Sequence, residues 1–190
     1  MAGTGTINRT AGSPCRCGCE EWSTMHSLYR LTAICFGVGV TLHNLEEAAY
    51  LPVWFRTNLK LPFEPNRKIY WLLTSLVSAV IWIPIVGVCV WPEDRAVQTV
   101  LSGFALLMVI NVVVPHLALT LIKRSYSPGT GTAILLNLPL GVLLIREQLS
   151  AAAGAHAQIW RRASLYALGL AVGTLGCLYG AHAILAARKR

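Results

Sequence analysis

The sequence predicts an all-α protein, a polytopic transmembrane helical bundle of about five spans. Of its 190 residues, 55% are hydrophobic and only 13% are charged, against about 25% charge in a soluble domain. The apolar residues fall into runs near or above the ~20 residues that a bilayer-crossing helix needs. The basic residues lie in the segments between those runs, where membrane topology places them. A net charge of +8 raises the question of nucleic acid, but no basic stripe with interleaved aromatics is present, so no nucleic-acid partner is expected. The expected partner is the lipid bilayer.

Residues 1–27 are rich in Gly, Ser, Thr and Cys without period and read as a flexible tail. Cys15, Cys17 and Cys19 form C-x-C-x-C there. Structural zinc uses four ligands, usually in C-x2-C pairs, so incidental thiols are the simpler reading than a tail metal site. Cys35, Cys89 and Cys177 lie singly in apolar runs and read as small buried hydrophobes. A long polar stretch before the first apolar run is not the pattern of a signal peptide.

One transmembrane domain is expected over residues 28–187. Its first span runs from about Leu28 to Phe55, followed by a polar loop, Arg56 to Lys68. Ile69 to Trp91 is the second span, framed by the interfacial aromatics Tyr70, Trp71 and Trp91 and kinked at Pro84. Trp91-Pro-Glu-Asp-Arg95 is a tight turn, and Ala96 to Ile122 is the third span, ended by Lys123-Arg124. After the turn Ser125–Gly129, Thr132 to about Leu149 is a weaker fourth span. Asn137-Leu138-Pro139 interrupts it, so it is expected to be short, kinked or partly re-entrant. Ser150 to Arg162 reads as a connector, Ser164 to Ala187 as the fifth span, and 188–190 as a basic end. Five spans put the termini on opposite faces. With the tail side called A and the other side B, side B holds the excess of Lys and Arg, which places the C-terminus in the cytoplasm.

Polar residues inside the spans are the natural place for function. His43, Glu46 and Glu47 lie within five residues of the first span, and each ionisable group costs roughly 2.5–3.5 kcal/mol at a helix centre in lipid. If spans one, three and five all run from A to B, these three, His116 and His182 share a depth within one or two turns in the B-side half, at about 1.5 Å per residue. Asn137 in the descending fourth span falls near the same level. His43, Glu46, Glu47 and Tyr50 share one helical face by their i, i+3, i+4, i+7 spacing. Pro115 frees the carbonyl of Asn111. Gly169, Gly173, Gly176 and Gly180 make a small-residue stripe expected to serve close helix packing.

Imidazole and carboxylate together suit a divalent metal, zinc, iron or manganese. The expected ligands are His43, Glu46, His116 and His182, with Glu47 as proton shuttle and Asn111 and Tyr50 beside it. The pattern is neither the H-E-x-x-H of zincins nor the E-x-x-H of di-iron bundles. The same groups without metal would make an acid–base pair, one acid retaining a proton in an apolar pocket. Singly, each histidine is as readily a hydrogen-bonded core residue, and Glu46 and Glu47 would cost little if the helix ended near Tyr50. The common depth of five groups favours a site. His26 and His156 lie outside the spans and read as solvated.

His43-Asn-Leu-Glu46-Glu47 has the form H-x-x-E-E and resembles the motif of the HXXEE family of small integral membrane proteins. Asn111 and His116, then Arg124-Ser-Tyr126-Ser-Pro128-Gly129, Leu138-Pro139 and the late His182 extend the resemblance over most of residues 30–187. It implies a catalytic role for the motif and names no reaction. The expectation is an integral membrane enzyme acting on an apolar lipid or isoprenoid. A metal-free terpene cyclase or isomerase using a protonated Glu is one alternative. A proton- or cation-coupled transporter is another, against which stand the lack of an inverted repeat and an A-side half nearly free of ionisable groups apart from Arg30.

Overall fold

A computed structural model describes residues 16–60, 65–151 and 154–187. Cys15, the side chains of Cys17 and Cys19, and the basic end 188–190 lie outside the described residues. Five helices make up the fold, and no strand occurs among the described residues. These are α1 (Arg16–Asn58), α2 (Arg67–Val90), α3 (Arg95–Lys123), α4 (Thr130–Ala151) and α5 (His156–Ala187). All but α1 are long and apolar enough to cross a membrane. In α1, Arg30, His43, Asn44, Glu46 and Glu47 dilute the apolar run.

Several boundaries differ from the sequence expectation. α1 is already helical at Arg16, well before Leu28. Once an apolar run has nucleated a helix, each added residue gains a hydrogen bond at little cost, and no proline stands between Arg16 and Pro52 to stop it. The Ser150–Arg162 connector shrinks to a break around Gly154, which takes φ of 82°. The helix before it continues through Ala151 and the next begins at His156. The fourth span is not short, since α4 is 22 residues long, and its turns widen to five-residue spacing over Ala133–Asn137, where Asn137-Leu138-Pro139 was expected to interrupt it.

Helix starts follow local chemistry. The Asn66 side chain accepts from Lys68 N at 2.9 Å and caps α2. Asp94 Oδ1 accepts from Ala96 N at 2.8 Å and caps α3. α1 packs chiefly on α2, and α3 on both α4 and α5. The turns Trp91–Asp94 and Arg124–Gly129 are too short for anything but antiparallel neighbours. Phe36, Val40, Ile81, Leu101, Phe104 and Leu144 form a buried apolar layer among α1 to α4.

Close helix approach occurs at Gly103 and Gly141 instead of along the α5 stripe. A Cβ on Gly103 would lie 2.6 Å from Tyr166 Cβ, and one on Gly141 would lie 3.2 Å from the Ala105 carbonyl. Gly169, Gly173, Gly176 and Gly180 face open space. Of the three cysteines expected to be buried, Cys35 and Cys177 are exposed and Cys89 is intermediate. An uncharged thiol facing hydrocarbon costs little, so burial was not required of them.

Candidate metal centre

The middle of α1 supplies the first two groups. His43 is fully buried, and Glu47, one turn later, brings its Oε1 to 3.6 Å from His43 Nε2. The i, i+4 spacing puts both on one face. α3 supplies the others. On a regular helix Asn111 and His116, five residues apart, would point about 140° away from each other. Over Val112–Leu117 the turns widen to five-residue spacing, and Val114 leaves helical geometry (φ −131°, ψ 114°) ahead of a cis Val114–Pro115 peptide. Both side chains then face α1. Asn111 Nδ2 donates to His43 Nε2 at 3.3 Å, and His116 Nε2 lies 3.1 Å from Glu47 Oε1. The two imidazoles meet edge to face with centroids 4.8 Å apart.

Backbone from the α3–α4 turn closes the cluster. His43 Nδ1 lies 3.1 Å from the Gly129 carbonyl, which can only accept, so Nδ1 carries the hydrogen and Nε2 presents a lone pair. Gly129 has φ of 90°, and a Cβ there would lie 2.7 Å from His116 Cε1 and 2.9 Å from His43 Cε1. Only glycine fits both the backbone and the space. Around this sits a second ring of hydrogen bonds. Thr132 Oγ1 lies 3.2 Å from His43 Nδ1 and donates to Glu46 Oε2 at 2.8 Å. Tyr126 Oη donates to Glu46 Oε1 at 2.7 Å. Partial burial, then that carboxylate, raises the Tyr126 phenol above its ordinary pKa.

One ligand atom from each of His43, Glu47 and His116 lies within 4.8 Å of the others. Two imidazole nitrogens and a carboxylate oxygen fit zinc, iron or manganese. His116 Nδ1 has no hydrogen-bond partner among the described residues. A backbone carbonyl fixing the tautomer of one imidazole is the usual second layer of a metal site.

Other residues expected at the site lie elsewhere. Glu46 turns its carboxylate to Tyr126 and Thr132, so Glu47 is the glutamate that reaches both rings. Tyr50 is 64% exposed on the outer surface. His182 does not join the cluster: its Nδ1 bonds the Leu178 carbonyl at 2.8 Å, its Nε2 accepts from Asn66 N at 3.4 Å, and its ring packs on Tyr70. Asn137 is buried beside Gly39, one turn of α1 from His43, with Nδ2 3.9 Å from Met108 Sδ. Gly129, Thr132 and Tyr126 were not expected among the site residues. The only signal for them is the Tyr126-Ser-Pro-Gly129 turn and the threonine just after it.

Four apolar helices are compatible with a multi-pass membrane protein, and the His–Glu–His set, its two imidazoles buried and its carboxylate half-buried, defines the class further, as a small helical bundle with an ionisable centre within it. The profile described as "Protein of unknown function with HXXEE motif" matches residues 34–144. The chain belongs to that family. It is also 31% identical over 120 residues to "Uncharacterized protein YrkK" of Bacillus subtilis (strain 168), covering 63% of this chain and 75% of that protein. No solved structure matches it.

Proposed function

We propose that the protein is a membrane-embedded metal enzyme in which His43, Glu47 and His116 hold a divalent ion and Glu46 serves as proton shuttle. The observation that carries this reading is the meeting of His43 Nε2 and Glu47 Oε1 at 3.6 Å. The Gly129 carbonyl makes Nε2 an acceptor, its one lone pair 3.3 Å from Asn111 Nδ2, and with Asn111 turned aside a cation between Nε2 and the carboxylate would hold the two together. Three protein ligands leave a coordination position open, as catalytic sites do, and the ion would supply Lewis acidity or an activated water.

The substrate class we infer is an apolar lipid or isoprenoid. An apolar cavity of about 200 Å³ opens among α1, α2, α3 and α5, lined in part by Val40, Leu76, Phe104, Met108, Gly169 and Gly173. Val40 and Met108 lie one turn before His43 and Asn111, so a chain in this groove would reach toward the centre. The layer of Phe36, Val40, Ile81, Leu101, Phe104 and Leu144 inside the bundle is buried and apolar, which weighs against transport.

Metal content of the detergent-purified protein tests the proposal, wild type beside His43→Ala, Glu47→Gln and His116→Ala. Near-stoichiometric metal in the wild type, lost in all three variants with helicity intact, is the expected result. No metal after reconstitution with zinc, iron and manganese would sink it. A second reading would then take its place, a metal-free acid–base site of the cyclase or isomerase type. Glu47 Oε1 approaching both Nε2 atoms, at 3.6 and 3.1 Å, favours that reading as a shared-proton arrangement.

A further inference from the structure

At the opposite end of the bundle, α3, α4 and α5 enclose a cavity of about 90 Å³. It lies about 30 Å along α3 from His116, at about 1.5 Å per residue. Its polar lining is Arg95, Gln98, Thr99, Gln148, Gln158 and Arg162. No carboxylate lines it, and among the described residues no Asp or Glu forms an ion pair with either arginine. The neighbouring Asp94 is committed to capping α3.

The amides add donors. Gln148 is buried, with its oxygen bonded to Ser102 and one amide hydrogen used on Thr99 at 3.0 Å. Gln98 donates to the Pro92 carbonyl. Each amide nitrogen carries two hydrogens, so each keeps one unused. α4 ends here and brings about half a negative charge from its dipole, against two full positive charges. The volume is that of about three waters, enough for a tetrahedral oxyanion. Trp91 and Trp160 are exposed on the same helix ends, where aromatic side chains mark the membrane–water interface.

We propose that this cavity is a phosphate-binding site at the headgroup level, with Arg95 and Arg162 as the cationic clamp. Guanidinium groups match phosphate oxygens in pairs, and basic pockets between transmembrane helices suit anionic lipid headgroups. The phosphate belongs either to a phospholipid or to a small soluble ion.

The test is a binding titration of the full chain in neutral detergent with short-chain phosphatidylglycerol and, separately, with inorganic phosphate. Saturable binding of phosphatidylglycerol alone identifies the lipid headgroup as the ligand. Equal binding of inorganic phosphate identifies the free ion. In either case Arg95→Gln/Arg162→Gln should weaken binding by about tenfold or more, the worth of one charge-assisted hydrogen bond. Arg162→Gln alone, at an exposed position, serves if the double variant does not fold. Wild-type binding should also fall as ionic strength rises. No saturable binding of either probe, or binding indifferent to both salt and the arginine substitutions, would overturn the proposal.

Discussion

Gly129 couples the two histidines through one residue. Its carbonyl sets the tautomer of His43, and its missing side chain makes room for both rings. Gly129→Ala should cost about 1–3 kcal/mol through left-handed strain and crowding, lowering the melting temperature and emptying the centre. Gly154→Ala is the control, since it also has positive φ but meets nothing within 4 Å. It should lower stability by strain alone and leave metal content unchanged. Equal metal loss in both variants would show that Gly129 acts only through backbone conformation. Glu46, outside the three convergent ligand atoms, gives a second contrast. Glu46→Gln should keep the metal and lose turnover, whereas Glu47→Gln should lose both, as read by metal analysis beside any assay the substrate permits.

The element that aims the site is the widened stretch of α3. Pro115 cannot donate to Asn111, and the five-residue turn lets Asn111 and His116 look the same way. Pro115→Ala restores the missing donor and favours a regular helix, which would rotate His116 away from Glu47. Circular dichroism should then show unchanged or slightly higher helicity while metal occupancy falls. Retained metal would mean that the turn is held by its neighbours and not by the proline. The same geometry explains what was legible in the sequence. Counting depth from span midpoints put His43, Glu47 and His116 near one level, and these are the three that meet. For His182 the count failed, since α5 starts at His156 instead of Ser164 and its centre lies nearer its N-terminus. His182 therefore stands further along the helix, against Asn66 at the start of α2. The Gly129 carbonyl could not be read at all. Backbone groups carry no sequence signature, and only the fold says which turn returns to which helix.

At the scale of the whole molecule, the apolar layer around Phe36, Leu101 and Leu144 divides the bundle into two polar ends. The His–Glu–His cluster lies at one and the arginine-lined cavity at the other. Both ends are expected to be separable by mutation, with Arg95→Gln/Arg162→Gln leaving metal content intact. We propose that α1 crosses the bilayer with the four apolar helices, which would put the two termini on opposite faces, and, from the excess of Lys and Arg on side B, that the C-terminus is cytoplasmic. A reporter fused after Arg190 should be active only in the cytoplasm, and activity on the outer face would reverse the orientation. α5 is the loosest part of the fold in composition, because its glycines meet open space where Gly103 and Gly141 meet neighbouring helices.

The return of the α3–α4 turn to the centre also imposes an order on biogenesis. A growing chain that has inserted α1 through α3 holds His43, Glu47 and His116. It still lacks the carbonyl that points the lone pair of His43 inward. That carbonyl arrives with residue 129, just before α4 begins, so the candidate ion site is completed late, once the turn that follows α3 has formed.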